Sequence, residues 1–243
     1  MTTIVYNLAR VHERMAQACA RAGRDADSAL LLAVSKTWGA EAVCEAAAAG
    51  QRAFGENYVQ EALDKMAAVR ALLPDGPVLQ WHCIGPVQSN KTRLVAEHFD
   101  WVHTVDRLKT AQRLSAQRPA HLAPLQVCLQ INVDGGATKA GVAPGEALAL
   151  ASAVATLPQL CLRGLMSIPE PAMEYEAQYA LHMRARAIFD QIKAAGVAGL
   201  PGLERFDTLS LGMTAELDAA IAAGSTLVRV GTGIFGGRNY PAR

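Results

Sequence analysis

The sequence predicts a single (β/α)8 barrel, one domain over residues 1–243, with an extra helix at its N-terminus. Short apolar runs alternate with helical patterns along all 243 residues, the arrangement of a parallel sheet covered by helices. The runs number eight, which is the count that closes a barrel, and the length is near the roughly 250 residues such a barrel uses. Nothing marks a midpoint of the kind that splits a doubly wound sheet of about six strands into halves.

Taken in order, the chain starts with an amphipathic stretch in which Ile4, Leu8, Val11, Met15 and Ala18 form an apolar stripe. The runs are Leu30–Lys36, Arg52–Asn57, Val78–Gly85, Trp101–Asp106, Leu125–Val133, Leu160–Pro169, Thr208–Met213 and Leu227–Phe235. Their lengths, and the Gly, Pro or polar residues beside them, suit strands buried on both faces. Helices are expected at Ala40–Ala49, Tyr58–Leu72, Gln88–His98, Arg107–Arg118, Pro144–Ala155, Met173–Ala195 and Ala215–Ala223. In the sixth of these, Leu181, Ala185, Ile188 and Ile192 share one face. Only Gly236–Arg243 follow the last run, too few residues for an eighth helix, so the N-terminal stripe is expected to fill that place.

Composition narrows the function. At 51% hydrophobic and 19% charged the chain can bury a large core. The net charge of +1 makes no electrostatic case for nucleic acid or an anionic membrane. No stretch reaches the roughly 18 uninterrupted apolar residues of a membrane helix, and the N-terminus lacks the pattern of a signal peptide. The five cysteines are widely spaced with no C-x-x-C pair, which favours a reducing cytoplasm.

Functional groups of such barrels gather at the C-terminal ends of the strands. Those ends carry Lys36, Asn57, His82 with Gly85, Thr104, Asn132, Met166 with Ser167, Ser210, and Gly231 with Thr232. Polar residues also stand there simply because loops begin, so the chemical variety on one rim matters more than any single residue. Lys36 closes an apolar run, where desolvation lowers an amine pKa and favours attack on an aldehyde; a lysine snorkelling to solvent is the bland alternative. Arg229 lies two residues before Gly231 on the same strand face. It is either inside the barrel, where it needs a partner, or paired outside with a surface carboxylate.

Gly231-Thr232-Gly233 offers unhindered backbone N–H groups and a hydroxyl, in the loop region where barrels often hold phosphate. Ser210, Met213 and Thr214 come from the neighbouring loop, and Thr214 can also cap a helix. Asn57 can bond a ligand ring or cap the helix after it, and His82 can point into the barrel or away from it.

Several motifs fail. Gly231–Gly236 matches G-x-G-x-x-G, but the dinucleotide fingerprint needs a following helix and an acidic residue about 20 positions later; only seven residues remain. The six histidines show no metal-ligand spacing, and there is neither a G-x-S-x-G elbow nor a Walker lysine.

The chain resembles the YggS/PROSC family of pyridoxal 5′-phosphate (PLP)-binding proteins over essentially its whole length. The motifs are Ala33–Thr37 (AVSKT), Phe54–Glu61 (FGENYVQE), Trp81–Lys91 (WHCIGPVQSNK), Gly164–Pro169 (GLMSIP), Leu209–Met213 (LSLGM) and Ala220–Thr232 (AIAAGSTLVRVGT). The resemblance implies a barrel like the N-terminal domain of alanine racemase, with Lys36 as the Schiff-base lysine. It further implies Ser210, Gly231 and Thr232 at the phosphate, Arg229 facing the pyridine nitrogen and Asn57 beside the ring. Two departures stand out: Cys83 replaces a usual aromatic, and Trp38-Gly39 follows the lysine motif where proline is common.

The expected function is therefore a carrier that holds and releases PLP in vitamin B6 and amino-acid homeostasis, rather than an enzyme. A cation at the pyridine nitrogen disfavours protonation there and weakens the ring as an electron sink, and no added domain is expected to supply a second acid–base group. Alternatives are a weak, broad amino-acid racemase and a Schiff-base aldolase without PLP. PLP-dependent apo-enzymes are the expected partners and a monomer the expected state.

Overall fold

The computed structural model describes residues 2–136 and 140–237. Helix α1 (Thr3–Arg21) precedes a repeated strand–helix series. The series runs β1 (Leu30–Val34), α2 (Ala40–Ala48), β2 (Ala53–Glu56), α3 (Val59–Leu72), β3 (Gln80–Cys83), α4 (Thr92–His98), β4 (Trp101–Val105) and α5 (Leu108–Gln117). It continues with β5 (Leu125–Gln130), α6 (Ala147–Ala155), β6 (Leu160–Met166), α7 (Tyr175–Val197), β7 (Thr208–Ser210), α8 (Leu217–Ala222), β8 (Leu227–Val230) and α9 (Thr232–Phe235). The eight strands form a closed barrel in sequence order. Closure is parallel, with Leu30, Leu31, Leu32 and Ala33 opposite Leu227, Val228, Arg229 and Val230.

Strand alternation sorts the side chains. Leu31, Ala33, Phe54, Val102, Val127, Leu165 and Val228 belong to the large core between barrel and helices, while Leu32, Ile84 and Leu227 form a separate small cluster. Around that cluster the buried barrel is unusually polar, with His82, His103, Ser210 and Arg229 each no more than 3% exposed. Branched apolar layers are the usual filling.

Helix α1 takes the expected place. Leu8, Val11, Met15, Ala18 and Cys19 are buried as α1 packs on α2, α8 and α9; Leu, Val and Met contribute roughly 1.5–3 kcal/mol apiece on burial. One expectation is corrected. The run Leu227–Phe235 is not a continuous strand: β8 stops at Val230 and Thr232–Phe235 is a helical turn. That turn lies within Gly231–Gly236 rather than after it, so among the described residues the dinucleotide fingerprint gains no following helix. The part of the expected tail from 238 to 243 lies outside the described residues.

Candidate functional site

A cavity of about 300 Å³ opens at the C-terminal ends of β1, β2, β7 and β8. Lys36, Asn57, Arg229, Gly231, Thr232 and Thr214 line it, with Val34, Ile84, Ile168, Met213 and Ala215 supplying an apolar wall. Five of the six residues expected at the site meet there. Ser210 does not line it.

Lys36 lies two residues beyond β1, half-buried. Its neighbours are held from behind the sheet. Lys65, on the buried face of α3, donates to the Ser35 carbonyl at 2.7 Å, to Glu56 Oε1 at 2.6 Å and to Glu61 Oε1 at 3.1 Å. Ser35 Oγ donates to Glu56 at 2.7 Å, and the Thr37 N–H donates to Glu61 at 2.6 Å. Thr37 adopts φ +69°, a left-handed conformation that is strained for a β-branched residue. The carboxylate on its N–H keeps the chain in that turn. Burial pushes the Glu56 carboxyl up, against the opposing pull of Lys65 and Ser35.

Opposite Lys36 stand Gly231–Gly233 and Thr214. The N–H groups of a first helical turn have no intrahelical acceptors, which leaves those of Thr232 and Gly233 able to meet an anion. A Cβ on Gly233 would lie 2.9 Å from Val230 and 3.1 Å from Thr214, so glycine permits the close packing of these two loops. Helix α1 braces both: Asn7 Nδ2 donates to the Ile234 carbonyl at 3.0 Å and Arg14 to the Thr214 carbonyl at 2.7 Å. Trp38, a departure from the family pattern, packs on Phe235 at 5.9 Å between centroids and ties the lysine loop to α9. Thr214 makes no cap on α8; its side chain faces the cavity.

Arg229 points into the barrel, not toward a helix. One nitrogen donates to the Ser210 carbonyl and hydroxyl, both at 2.7 Å, and the other to the Ser167 carbonyl at 2.9 Å. Burial draws its pKa down to about 10, with Glu216 pulling it back up, so it remains a cation at neutral pH. Ser210 sits one layer below the cavity, fully buried, between Arg229 and His103 Nδ1 at 3.1 Å. The hydroxyl on the cavity wall from this loop is that of Thr214. The Cys83 thiol is buried and pushed up to about 12, an inert packing group.

Asn57 does not cap α3, whose start has no side-chain cap. Its Oδ1 is buried without a hydrogen-bond partner among the described residues, an orphan acceptor that a ligand donor would satisfy. Gly85 permits this placement, because a Cβ there would lie 2.2 Å from the Asn57 carbonyl oxygen. His82 turns inward and meets His103 at 2.9 Å. Lys65 and His103 escaped the sequence reading. The signals were the i, i+4 spacing of Lys65 from Glu61 and the two-residue step from Trp101 to His103.

An amine at one end, hydroxyls and first-turn N–H groups at the other, a buried cation and an orphan acceptor together fit a small, flat molecule carrying an electrophilic carbon and an anionic group. PLP has that shape and chemistry.

A family model described as alanine racemase, N-terminal domain matches residues 6–239. The pyridoxal phosphate homeostasis protein of Pseudomonas aeruginosa is 55% identical over 242 residues, which cover 100% of this chain and 99% of that one. The protein of the same name from Escherichia coli is 51% identical over 240 residues, 99% of each chain. Among solved structures, PipY of Synechococcus elongatus with PLP bound aligns with a TM-score of 0.80 at 36% identity, covering 96% of this chain and 100% of PipY.

Proposed function

We propose a carrier of PLP, from the premise that the chain belongs to the alanine racemase N-terminal domain family. The whole of residues 1–243 is read as one PLP-binding barrel domain that holds and releases the cofactor in vitamin B6 and amino-acid homeostasis. Relatives at 51–55% identity bear the name pyridoxal phosphate homeostasis protein, and PipY holds PLP on the same fold.

PLP supplies an aldehyde that condenses with a primary amine, releasing water. Lys36 is the amine. Thr214, Thr232 and the N–H groups of Thr232 and Gly233 hold the phosphate, and the Gly231 backbone makes room for it. Ser210 takes no direct part at the phosphate and acts instead through Arg229. Arg229 would face the ring nitrogen, where a cation disfavours protonation. Asn57 bonds the ring substituents beside the aldehyde.

One observation favours a carrier over a racemase. Among the described residues lining the cavity, only Lys36 and Arg229 carry ionisable side chains. Racemisation needs acid–base groups on both faces of the reacting carbon, and an arginine with a pKa of about 10 is a poor proton shuttle. The apo-forms of PLP enzymes are the proposed recipients, and the working state is a monomer. The five free cysteines suit a reducing cytoplasm.

The test is a transfer assay. Loaded protein is mixed with an excess of a PLP-dependent apo-enzyme while recovery of that enzyme and racemisation of several amino acids are followed together. A carrier restores the apo-enzyme without turnover of its own; Lys36-dependent racemisation without transfer makes the protein an enzyme instead.

A further inference from the structure

A polar column crosses the barrel interior where apolar layers are usual. From Arg229 it runs through Ser210 Oγ at 2.7 Å, His103 Nδ1 at 3.1 Å, and from His103 Nε2 to His82 Nδ1 at 2.9 Å. His82 also stacks on Trp101 at 5.2 Å. The Nε2 of His82 has no partner among the described residues, and the ring lines a separate cavity at the opposite mouth of the barrel.

The proton positions follow from donor counting. The Ser210 oxygen accepts from the Arg229 guanidinium, which has only donors. The one Ser210 hydrogen then goes to His103 Nδ1. His103 therefore carries its hydrogen on Nε2 and gives it to His82 Nδ1, which leaves the His82 hydrogen on Nε2. Every bond in the column points away from Arg229, so each strengthens the next. The column works only while both rings are neutral. Burial holds His82 down to about 3, and burial with His82 and Arg229 nearby holds His103 well below its ordinary value.

We infer that His103, backed by His82, is a positioning residue that aims the Arg229 guanidinium at the ring nitrogen of bound PLP. Neither histidine lines the PLP cavity; both act through Ser210. His103 locks the hydroxyl rotor of Ser210 so that its lone pair always faces Arg229. With the rotor unlocked, a buried hydroxyl loses its acceptor and the guanidinium loses a fixed anchor. The inference rests on the proposed PLP site.

The test loads wild type, His103→Leu, His103→Gln and Ser210→Ala with PLP. Three quantities are read: the visible absorption maximum of the bound cofactor, PLP affinity by equilibrium dialysis, and the thermal midpoint. His103→Leu and Ser210→Ala are expected to shift the absorption maximum and weaken affinity about tenfold, the size of one lost hydrogen bond. His103→Gln can accept from Ser210 and donate to His82, so it restores the spectrum and most of the affinity. A merely structural role moves the midpoint and leaves the spectrum alone. Should His103→Leu fail to fold, the smaller cut in Ser210→Ala decides. A folded variant of either kind with wild-type spectrum and affinity overturns the inference. A wild type that takes up no PLP overturns the carrier role, and the inference with it.

Discussion

Replacing Lys65 with methionine isolates what holds the lysine loop in place. The Lys65 and Glu56 side chains are 4% and 0% exposed, so removing the ammonium strands a carboxylate away from water. Breaking one side of a buried pair costs about 3–5 kcal/mol. Glu61 is 34% exposed and recovers solvation, so the loss falls mainly on Glu56. A domain of this kind has roughly 5–15 kcal/mol of stability, so Lys65→Met is expected to fold with a reduced margin. Urea unfolding measures the loss, and adding Glu56→Gln to Lys65→Met should recover most of it by removing the stranded charge.

The pH dependence has a definite sign. Burial already raises the folded pKa of Glu56 above its ordinary 4.5, and losing Lys65 raises it further. A raised folded value means that the folded state binds the proton more tightly, so stability is recovered as pH falls through the folded value toward 4.5. The Lys65→Met penalty should therefore shrink in acid. A loss below about 1 kcal/mol at neutral pH, well short of the buried-pair range, or a penalty that grows as pH falls, refutes the stranded-charge explanation.

Three further outcomes are expected. Thr214→Val keeps the shape of the cavity wall and removes a hydroxyl, so PLP affinity measured by dialysis should fall about tenfold with little change in thermal midpoint. Arg14→Ala frees the Thr214 carbonyl from α1 and should weaken PLP binding about fivefold although Arg14 never touches the cavity; a full-strength binder would show that the brace is dispensable. Acid should destabilise the fold through His82 and His182, whose pKa values are lowered to about 3 and about 4 by burial. Their stabilising contribution is complete above the ordinary 6.5 and is lost as pH falls toward those folded values. The loss is about 2 kcal/mol per histidine at pH 5, so His82→Gln should flatten the stability–pH curve over that range.

The barrel was legible because buried strands and amphipathic helices differ in period, and the N-terminal stripe had one open place to fill. The end of β8 was not. Leu227–Phe235 is apolar throughout, and periodicity cannot separate a buried strand from a helical turn in so short a run. Gly231, at φ −110° and ψ −76°, makes the switch. Lys36, Asn57, Arg229, Gly231 and Thr232 line the cavity because each stands near or just past a strand end. Ser210 does not, since the chain bends at Gly212, with φ +85°, and brings Thr214 to the wall four residues later. His103 is inconspicuous because Trp101–Val105 is buried at every position, so polarity and burial do not single out its inward face. The Lys65 clamp lies on the far side of the sheet, where strand-end reasoning does not look.

The central claim is that Lys36 is the amine that bonds PLP. Purified protein incubated with PLP is reduced with borohydride, and the labelled peptide is identified by mass beside the visible spectrum of wild type and Lys36→Ala. A visible band in the wild type, lost in Lys36→Ala, with the label on Lys36 alone, is the predicted result. No band, a band that survives Lys36→Ala, or a label on Lys65 would contradict it.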